Sequence, residues 1–144
     1  MPDLHLSISS DVQPEFREFE RFATTVINAY LQPVMTGYVD RLAKGVAEVA
    51  PMASLGINQS SGGLMSPVRA QAVPVRTALS GPAAGAMGAG AVARRAGYPD
   101  VITLDMGGTS ADVALIRNAE PALAFQRNVA GFPIRLPMVD IDTV

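Results

Sequence analysis

The stretch that decides the fold is VITLDMGGTSADVALI, residues 101–116. A short, partly β-branched apolar run leads into Asp105, as is typical of a buried strand. Residues 111–116 are again strand-forming, and two glycines lie between the two runs. The pattern predicts an antiparallel β-hairpin with residues 107–110 as its turn.

The predicted turn is more polar than a plain hairpin requires. Gly107 and Gly108 can adopt positive φ at little cost and let backbone N–H groups approach a ligand. Thr109 and Ser110 add hydroxyls close to Asp105, and ligands bind at the strand ends of open α/β sheets. An ordinary hairpin explains the strands and the turn without any ligand. It does not explain why these polar side chains crowd one turn.

The composition fits one small domain or a piece of a larger protein. The chain has 144 residues, of which 49% are hydrophobic and 6% aromatic, and its mean hydropathy is +0.25. Such an apolar surplus is expected if more protein covers part of the surface. The 11 Lys and Arg residues are scattered and the net charge is −2, which argues against nucleic-acid binding. With no cysteine, disulfides and thiolate metal sites are excluded.

The sequence predicts neither a leader nor a membrane segment. Its first residues lack the basic and apolar regions of a signal peptide. The longest stretch of low polarity, residues 81–93, is shorter than the ~20 residues that span a bilayer. We therefore expect a cytoplasmic protein with no membrane partner.

Apolar residues spaced by three and four predict a long amphipathic helix over residues 16–31. Pro14 and Glu15 suit its first turn, and Pro33 is expected to kink or restart it before the apolar face continues to about Ala50. We interpret the stripe as core packing rather than a cofactor site. Its members are Phe16, Phe19, Phe22, Ala23, Val26, Ile27, Tyr30 and Leu31.

The remaining patterns alternate between strands and helices, which favours an α/β fold. Strands are predicted over residues 4–8, 53–57, 74–79, 101–106, 111–116, 122–127 and 133–141, and helices over 68–72 and 82–95. Ser80 or Gly81 is the expected cap of the last helix, which contains Gly85, Gly88 and Gly90. Each interior glycine costs about 1 kcal/mol relative to alanine, so we expect close backbone contact along that face.

Five segments in this order resemble the middle of the actin-like ATPase superfamily. They are NAYLQPVMTGYVDRL (28–42), NQSSGGLMS (58–66), VRTALSGPAAGAMGA (75–89), LDMGGTSADVALI (104–116) and GFPIRLPMVDIDTV (131–144). Within the superfamily they are most similar to the A-type subunits of ATP-dependent hydantoinases and 5-oxoprolinases, with acetone and acetophenone carboxylases as relatives. The resemblance implies part of an actin-like (ribonuclease-H-like) α/β fold. Residues 1–96 would end the first domain and include the connecting helix, and residues 97–144 would begin the second.

The resemblance also implies a site for ATP and Mg²⁺ at the hairpin. Asp105 would lie beside the magnesium ion, usually through water. Gly107, Gly108 and Thr109 would supply backbone N–H groups to the phosphates, and the Thr109 and Ser110 hydroxyls would donate as well. Electrostatics favours this arrangement independently, because a carboxylate repels a phosphate unless a divalent cation lies between them.

Other positions are less determined. Asp112 either faces this site or is solvated on the returning strand. Residues 59–63 match a loop that is commonly Gln-Ser-Asn-Gly-Gly in the family, but Ser61 replaces the amide, so the role of Gln59 and its neighbours stays open. Small residues of the connecting helix are implied to serve hinge packing rather than catalysis; they are Gly81, Ala84 and Gly85.

The function implied is that of an ATP-dependent hydrolase that opens cyclic amides of the hydantoin or 5-oxoproline type. ATP would phosphorylate the amide oxygen, and a B-type subunit or domain is the expected partner. One alternative is a subunit of an acetone- or acetophenone-type carboxylase; another is a non-catalytic truncated fragment. The family's first phosphate hairpin and its adenosine-binding part have no match in this sequence. We therefore expect the isolated chain to be inactive and assign no catalytic residue.

Overall fold

The computed structural model describes residues 4–143. Within them the helices are α1 Ser9–Val12, α2 Glu18–Val49, α3 Pro67–Ala72, a 3₁₀ helix Pro74–Thr77, and α4 Ser80–Arg95. The strands are β1 Ile57–Asn58, β2 Leu64–Met65, β3 Val101–Met106, β4 Ala111–Arg117, β5 Glu120–Pro121, β6 Leu123–Ala124, β7 Arg127–Val129, β8 Phe132–Ile134, β9 Met138–Val139 and β10 Ile141–Thr143. None of the helices within this range combines the length and the hydropathy that a membrane span requires.

The largest sheet has the order β10-β4-β3 and is antiparallel throughout, with β5 paired to β4. Strands β3 and β4 pair from Val101 opposite Ile116 to Met106 opposite Ala111, so the predicted hairpin is confirmed. One face of this sheet packs against α4 through a cluster of buried apolar residues: Ala83, Ala86, Ala114, Ile116, Val139 and Ile141. The opposite face leaves three apolar side chains of β3 exposed, Ile102, Leu104 and Met106.

Helix α4 approaches the sheet closely at one of its predicted glycines. Gly90 is buried, and a Cβ there would lie 3.4 Å from Ile116 Cγ2. Gly88 has no atom within 4 Å of such a position, so the expectation of close contact is wrong for that residue. The expected cap is also wrong, because the helix begins at Ser80. Leu79 precedes it in a left-handed conformation (φ 58°), and its side chain makes no capping hydrogen bond.

Helix α2 is one uninterrupted helix of 32 residues that contains Pro33 and does not restart there. Proline has no N–H to donate to the carbonyl of Ala29. The buried residues of α2 are mainly polar: Thr24, Thr25, Asn28, Gln32 and Val39. The predicted aromatic core stripe is exposed instead, with Phe16 95%, Phe19 75%, Phe22 68% and Tyr30 81% accessible. The prediction is therefore wrong for these four aromatic residues, whereas Ile27 and Leu31 of the same stripe pack against a buried core cluster. The members of the stripe other than Phe16 line an open apolar groove of about 920 Å³ that Val129 and Phe132 also border.

Backbone groups that need partners explain why the polar face is inside. Asn28 Nδ2 donates to the Ala72 carbonyl at 3.1 Å, and Asn28 Oδ1 accepts from the Val75 N–H at 3.2 Å. Gln32 Nε2 donates to the carbonyls of Ala72 (3.1 Å) and Leu6 (3.3 Å). Buried backbone groups without partners are costly, so these two amides hold α2 against three other segments.

Two predicted strands are absent from the described chain. Residues 4–8 have no regular structure, because their polar groups bond to α2 rather than to a neighbouring strand. Residues 74–77 form the 3₁₀ helix; Pro74 fixes φ near the helical value and has no N–H for a strand ladder. Of the weak strand predicted over 53–57, only its last residue is in β1. The short helix predicted over 68–72 is confirmed as α3, capped by Ser66.

Candidate nucleotide-binding site

The turn of the hairpin is closed by one hydrogen bond, from the Gly107 N–H to the Ser110 carbonyl at 2.9 Å. In this structure the Gly107 N–H is thus engaged across the turn, and its expected part as a donor to phosphate stays a prediction. The N–H groups of Gly108, Thr109 and Ser110 have no acceptor among residues 4–143. Three consecutive exposed donors thus remain at the tip of the hairpin.

The two turn glycines are not required by backbone conformation. Neither Gly107 nor Gly108 has positive φ, so the expected reason for glycine is wrong. A Cβ on Gly108 would meet nothing within 4 Å, and one on Gly107 would lie 3.7 Å from the Ser110 carbonyl oxygen. The fold therefore tolerates a side chain at position 108. What glycine provides there is unobstructed access to the backbone.

Asp105 and Asp112 are directly opposite each other in the hairpin register. Both line a cleft of about 170 Å³ between the hairpin and α4. Gly85 forms part of the opposite wall, and a Cβ on it would lie 3.8 Å from Asp105 Oδ2. Asp112 Oδ1 also accepts a hydrogen bond from the Thr143 hydroxyl at 2.6 Å. The small residues of α4 thus leave room beside two carboxylates, and Asp112 lines the same cleft as Asp105.

The carboxylates of Asp105 and Asp112 suit a cation whose other coordination positions are filled by water and by a bound phosphate. Like charges directly opposite in a sheet are destabilising, by roughly 0.2–1 kcal/mol, unless a counter-charge is present. Residues 4–143 contain no cluster of three or more His, Cys, Asp or Glu that could enclose a metal by themselves. Mg²⁺ is commonly held by one or two carboxylates, several waters and substrate phosphates. The donor set therefore fits magnesium brought with a phosphate ligand.

The loop of residues 59–63 connects other elements of the fold by hydrogen bonds. Ser60 is buried, and both its N–H (2.7 Å) and its hydroxyl (2.6 Å) donate to the Arg76 carbonyl. The Ser60 carbonyl accepts from the Val139 N–H at 2.7 Å. Gly62 has φ +84°, and a Cβ there would lie 2.9 Å from Met87 Sδ. The loop therefore ties the 3₁₀ helix to β9 and lies against α4, and it does not line the carboxylate cleft.

Comparison with known proteins identifies the family. The model of the hydantoinase/oxoprolinase family matches residues 21–144. The chain belongs to this family. Its sequence is 34% identical over 144 residues to caprolactamase subunit alpha of Pseudomonas jessenii, covering all of this chain and 21% of that protein. It is 33% identical over 142 residues to 5-oxoprolinase of Saccharomyces cerevisiae, covering 97% of this chain and 11% of that protein.

The fold is shared with a solved member of the family. The nucleotide-free structure of acetone carboxylase, from a study of ATP-dependent acetone carboxylation, matches with a TM-score of 0.79 and 28% identity. The match covers 94% of this chain and 19% of that one. The architecture is thus part of an actin-like ATPase α/β fold. The chain spans about a fifth or less of the length of these three family members.

Proposed function

We propose that the hairpin of this hydantoinase/oxoprolinase chain binds the phosphates of ATP together with Mg²⁺. The supporting observation is that free N–H groups and a carboxylate pair flank one turn. The N–H groups of Gly108 and Thr109, with the Thr109 and Ser110 hydroxyls, would donate to phosphate oxygens. Asp105 would face the cation, usually through water. Gly107 would close the turn through its N–H, which donates to the Ser110 carbonyl.

The proposed reaction is ATP-dependent opening of a cyclic amide. Transfer of the γ-phosphoryl group to the oxygen of a lactam releases ADP and makes the ring carbon electrophilic. One water adds to that carbon and the ring C–N bond breaks, which leaves an amine and an acyl phosphate. A second water hydrolyses the acyl phosphate to a carboxylate and inorganic phosphate. The products are an amino acid, ADP and inorganic phosphate. Phosphoryl transfer depends mainly on positioning and charge neutralisation, which are the properties this turn offers. Two relatives are a caprolactamase subunit and a 5-oxoprolinase, and this favours a lactam substrate.

The same proposal includes the domain organisation of the longer protein and its partner. Residues 1–96 would complete the first actin-like domain with α4 as the connecting helix, and residues 97–144 would begin the second. Because one relative is named as a subunit alpha, a second subunit or domain is the proposed partner. The other phosphate-binding elements would come from the rest of the polypeptide.

A carboxylase is the second candidate, since the similar solved structure is an acetone carboxylase. The full-length protein, assayed for ADP release with a lactam or with a ketone plus bicarbonate, separates the two. Lactam-dependent ADP release supports the hydrolase. Release that requires both ketone and bicarbonate supports the carboxylase, and release in neither arm favours a non-catalytic protein.

The Asp105→Asn variant tests the cation site itself. It keeps the shape of the side chain but removes the charge that would balance magnesium, so ADP release should fall by at least 100-fold while the folded state persists. Asp142→Asn is the matched control, because Asp142 lies on β10 opposite Val113, its side chain is 91% exposed, and it does not line the cleft. Equal activity of Asp105→Asn and the control at all magnesium concentrations would remove Asp105 from the site.

A further inference from the structure

Arg76 is a half-buried cation in the 3₁₀ helix. Its Nε–H is buried and has no hydrogen-bond acceptor, and its guanidinium forms no ion pair with any residue from 4 to 143. Arg127 is the useful contrast. Its Nε is also buried without a partner, but its Nη2 lies 2.6 Å from Asp140 Oδ1, so its charge is compensated.

A second arginine makes the local excess of positive charge larger. Burial and, to a smaller extent, the positive charge of Arg69 lower the pKa of Arg76. Arginine nevertheless keeps its proton in proteins, so the cost is not relieved by deprotonation. Arg69 belongs to α3 and likewise has no ion pair in the described part of the chain. A half-buried charge without an ion pair is held at a cost in free energy, and a bound anion would offset that cost.

The backbone that carries Arg76 is firmly held. Its carbonyl accepts two hydrogen bonds from the buried Ser60, and its N–H donates to the Val73 carbonyl at 3.2 Å. The neighbouring Pro74 and Val75 are buried. The origin of the side chain is therefore fixed before any ligand arrives, unlike that of a solvated surface arginine. Fixed donors bind more tightly because less conformational entropy is lost on binding.

We propose that Arg76, with the positive charge of Arg69 on the adjoining helix α3, binds an anionic oxygen group of a small molecule, either a carboxylate or a phosphate. The planar guanidinium fork matches both groups and can donate to two of their oxygens at once. Neither arginine lines the carboxylate cleft beside the hairpin. The anion site does not depend on the proposed ATP-dependent reaction.

The test is anion titration of the intact protein, with thermal unfolding as the readout and ionic strength held constant with potassium chloride. Potassium phosphate and potassium acetate are the two probes. We expect a saturable rise in the unfolding temperature with at least one of them, and an at least tenfold higher half-saturating concentration in Arg76→Gln. Saturation by phosphate alone identifies a phosphate ligand, and saturation by acetate a carboxylate. Arg117→Gln, an exposed arginine without an ion pair in the described residues, should respond like the parent protein.

Two further variants keep the proposal open to refutation if Arg76→Gln does not fold. Arg76→Lys retains the charge but not the fork, and Arg69→Gln removes the second cation; each should raise the half-saturating concentration threefold or more. The proposal is overturned if the parent protein shows no saturable response to either anion. It is also overturned if every folded Arg76 or Arg69 variant responds like the parent.

Discussion

Replacing Gly108 by alanine should affect folding stability and nucleotide binding differently. Position 108 has ordinary φ and open space around a Cβ, so the folded state accommodates the methyl group without strain. Alanine also reduces the conformational freedom of the unfolded chain, which stabilises proteins at compatible sites by about 0.4–1 kcal/mol. We therefore expect the free energy of unfolding to stay the same or to rise by up to about 1 kcal/mol.

Nucleotide binding should change in the opposite direction. A methyl group at the tip of the turn keeps a phosphate oxygen away from the N–H groups of Gly108 and Thr109. Hydrogen bonds to charged groups contribute about 1.5–3 kcal/mol each. Loss of one such bond therefore corresponds to an increase of about 10- to 150-fold in the Kd for Mg-ATP. Isothermal titration of the full-length protein with Mg-ATP and Mg-ADP measures this directly.

Gly88→Ala is the matched control. Gly88 also has open space around a Cβ, but it lies within α4 and does not line the carboxylate cleft. Alanine in a helix interior should stabilise the protein by about 0.5–1 kcal/mol and leave the Kd unchanged. If Gly108→Ala binds Mg-ATP as tightly as the control does, the turn does not approach the phosphates and our account of the hairpin is wrong.

Three further substitutions test the packing that supports the site. Asn28→Ala leaves the buried N–H of Val75 without an acceptor, so urea unfolding should show a loss of about 2–4 kcal/mol; a loss below 0.5 kcal/mol would contradict the role given to this amide. Gly62→Ala places a methyl group at φ +84° and close to Met87, and should cost about 1–2 kcal/mol; an unchanged unfolding midpoint would show that the loop is not held in this conformation. Phe22→Ser should alter the free energy of unfolding by less than about 0.5 kcal/mol, since the side chain is 68% exposed; a loss of several kcal/mol would mean that this face is buried.

The hairpin and α4 were predictable because the signals for both are local. The strand-forming runs on either side of the two glycines predicted β3 and β4, and the run of small residues predicted the helix that packs against them. Asp105 was predictable as a candidate from its place at a strand end. The availability of individual N–H groups was not, because it depends on the one hydrogen bond that Gly107 makes across the turn. The alignment of Asp112 with Asp105 required the register.

Helix α2 shows where local signals fail. Its three-and-four spacing correctly predicted a helix, but periodicity does not state which face is covered. The covered face is decided by distant backbone groups, such as the carbonyl of Ala72, which is 44 residues from Asn28 in sequence. The strand expected over residues 74–79 failed for a related reason. The pattern of Val and Thr favoured a strand, whereas Pro74 and the amide of Asn28 favour a 3₁₀ turn.

The polar face of α2 links stability to the position of the proposed anion site. Asn28 fixes the N–H of Val75, the residue immediately before Arg76, and Ser60 fixes the Arg76 carbonyl from the other side. The 3₁₀ helix is thereby held by side-chain hydrogen bonds from two different parts of the chain. Apolar contacts alone would permit small shifts here, whereas hydrogen bonds of defined length and direction do not. The burial of amides in α2, which sequence periodicity did not reveal, thus supplies the rigidity that an arginine needs to present a fixed guanidinium.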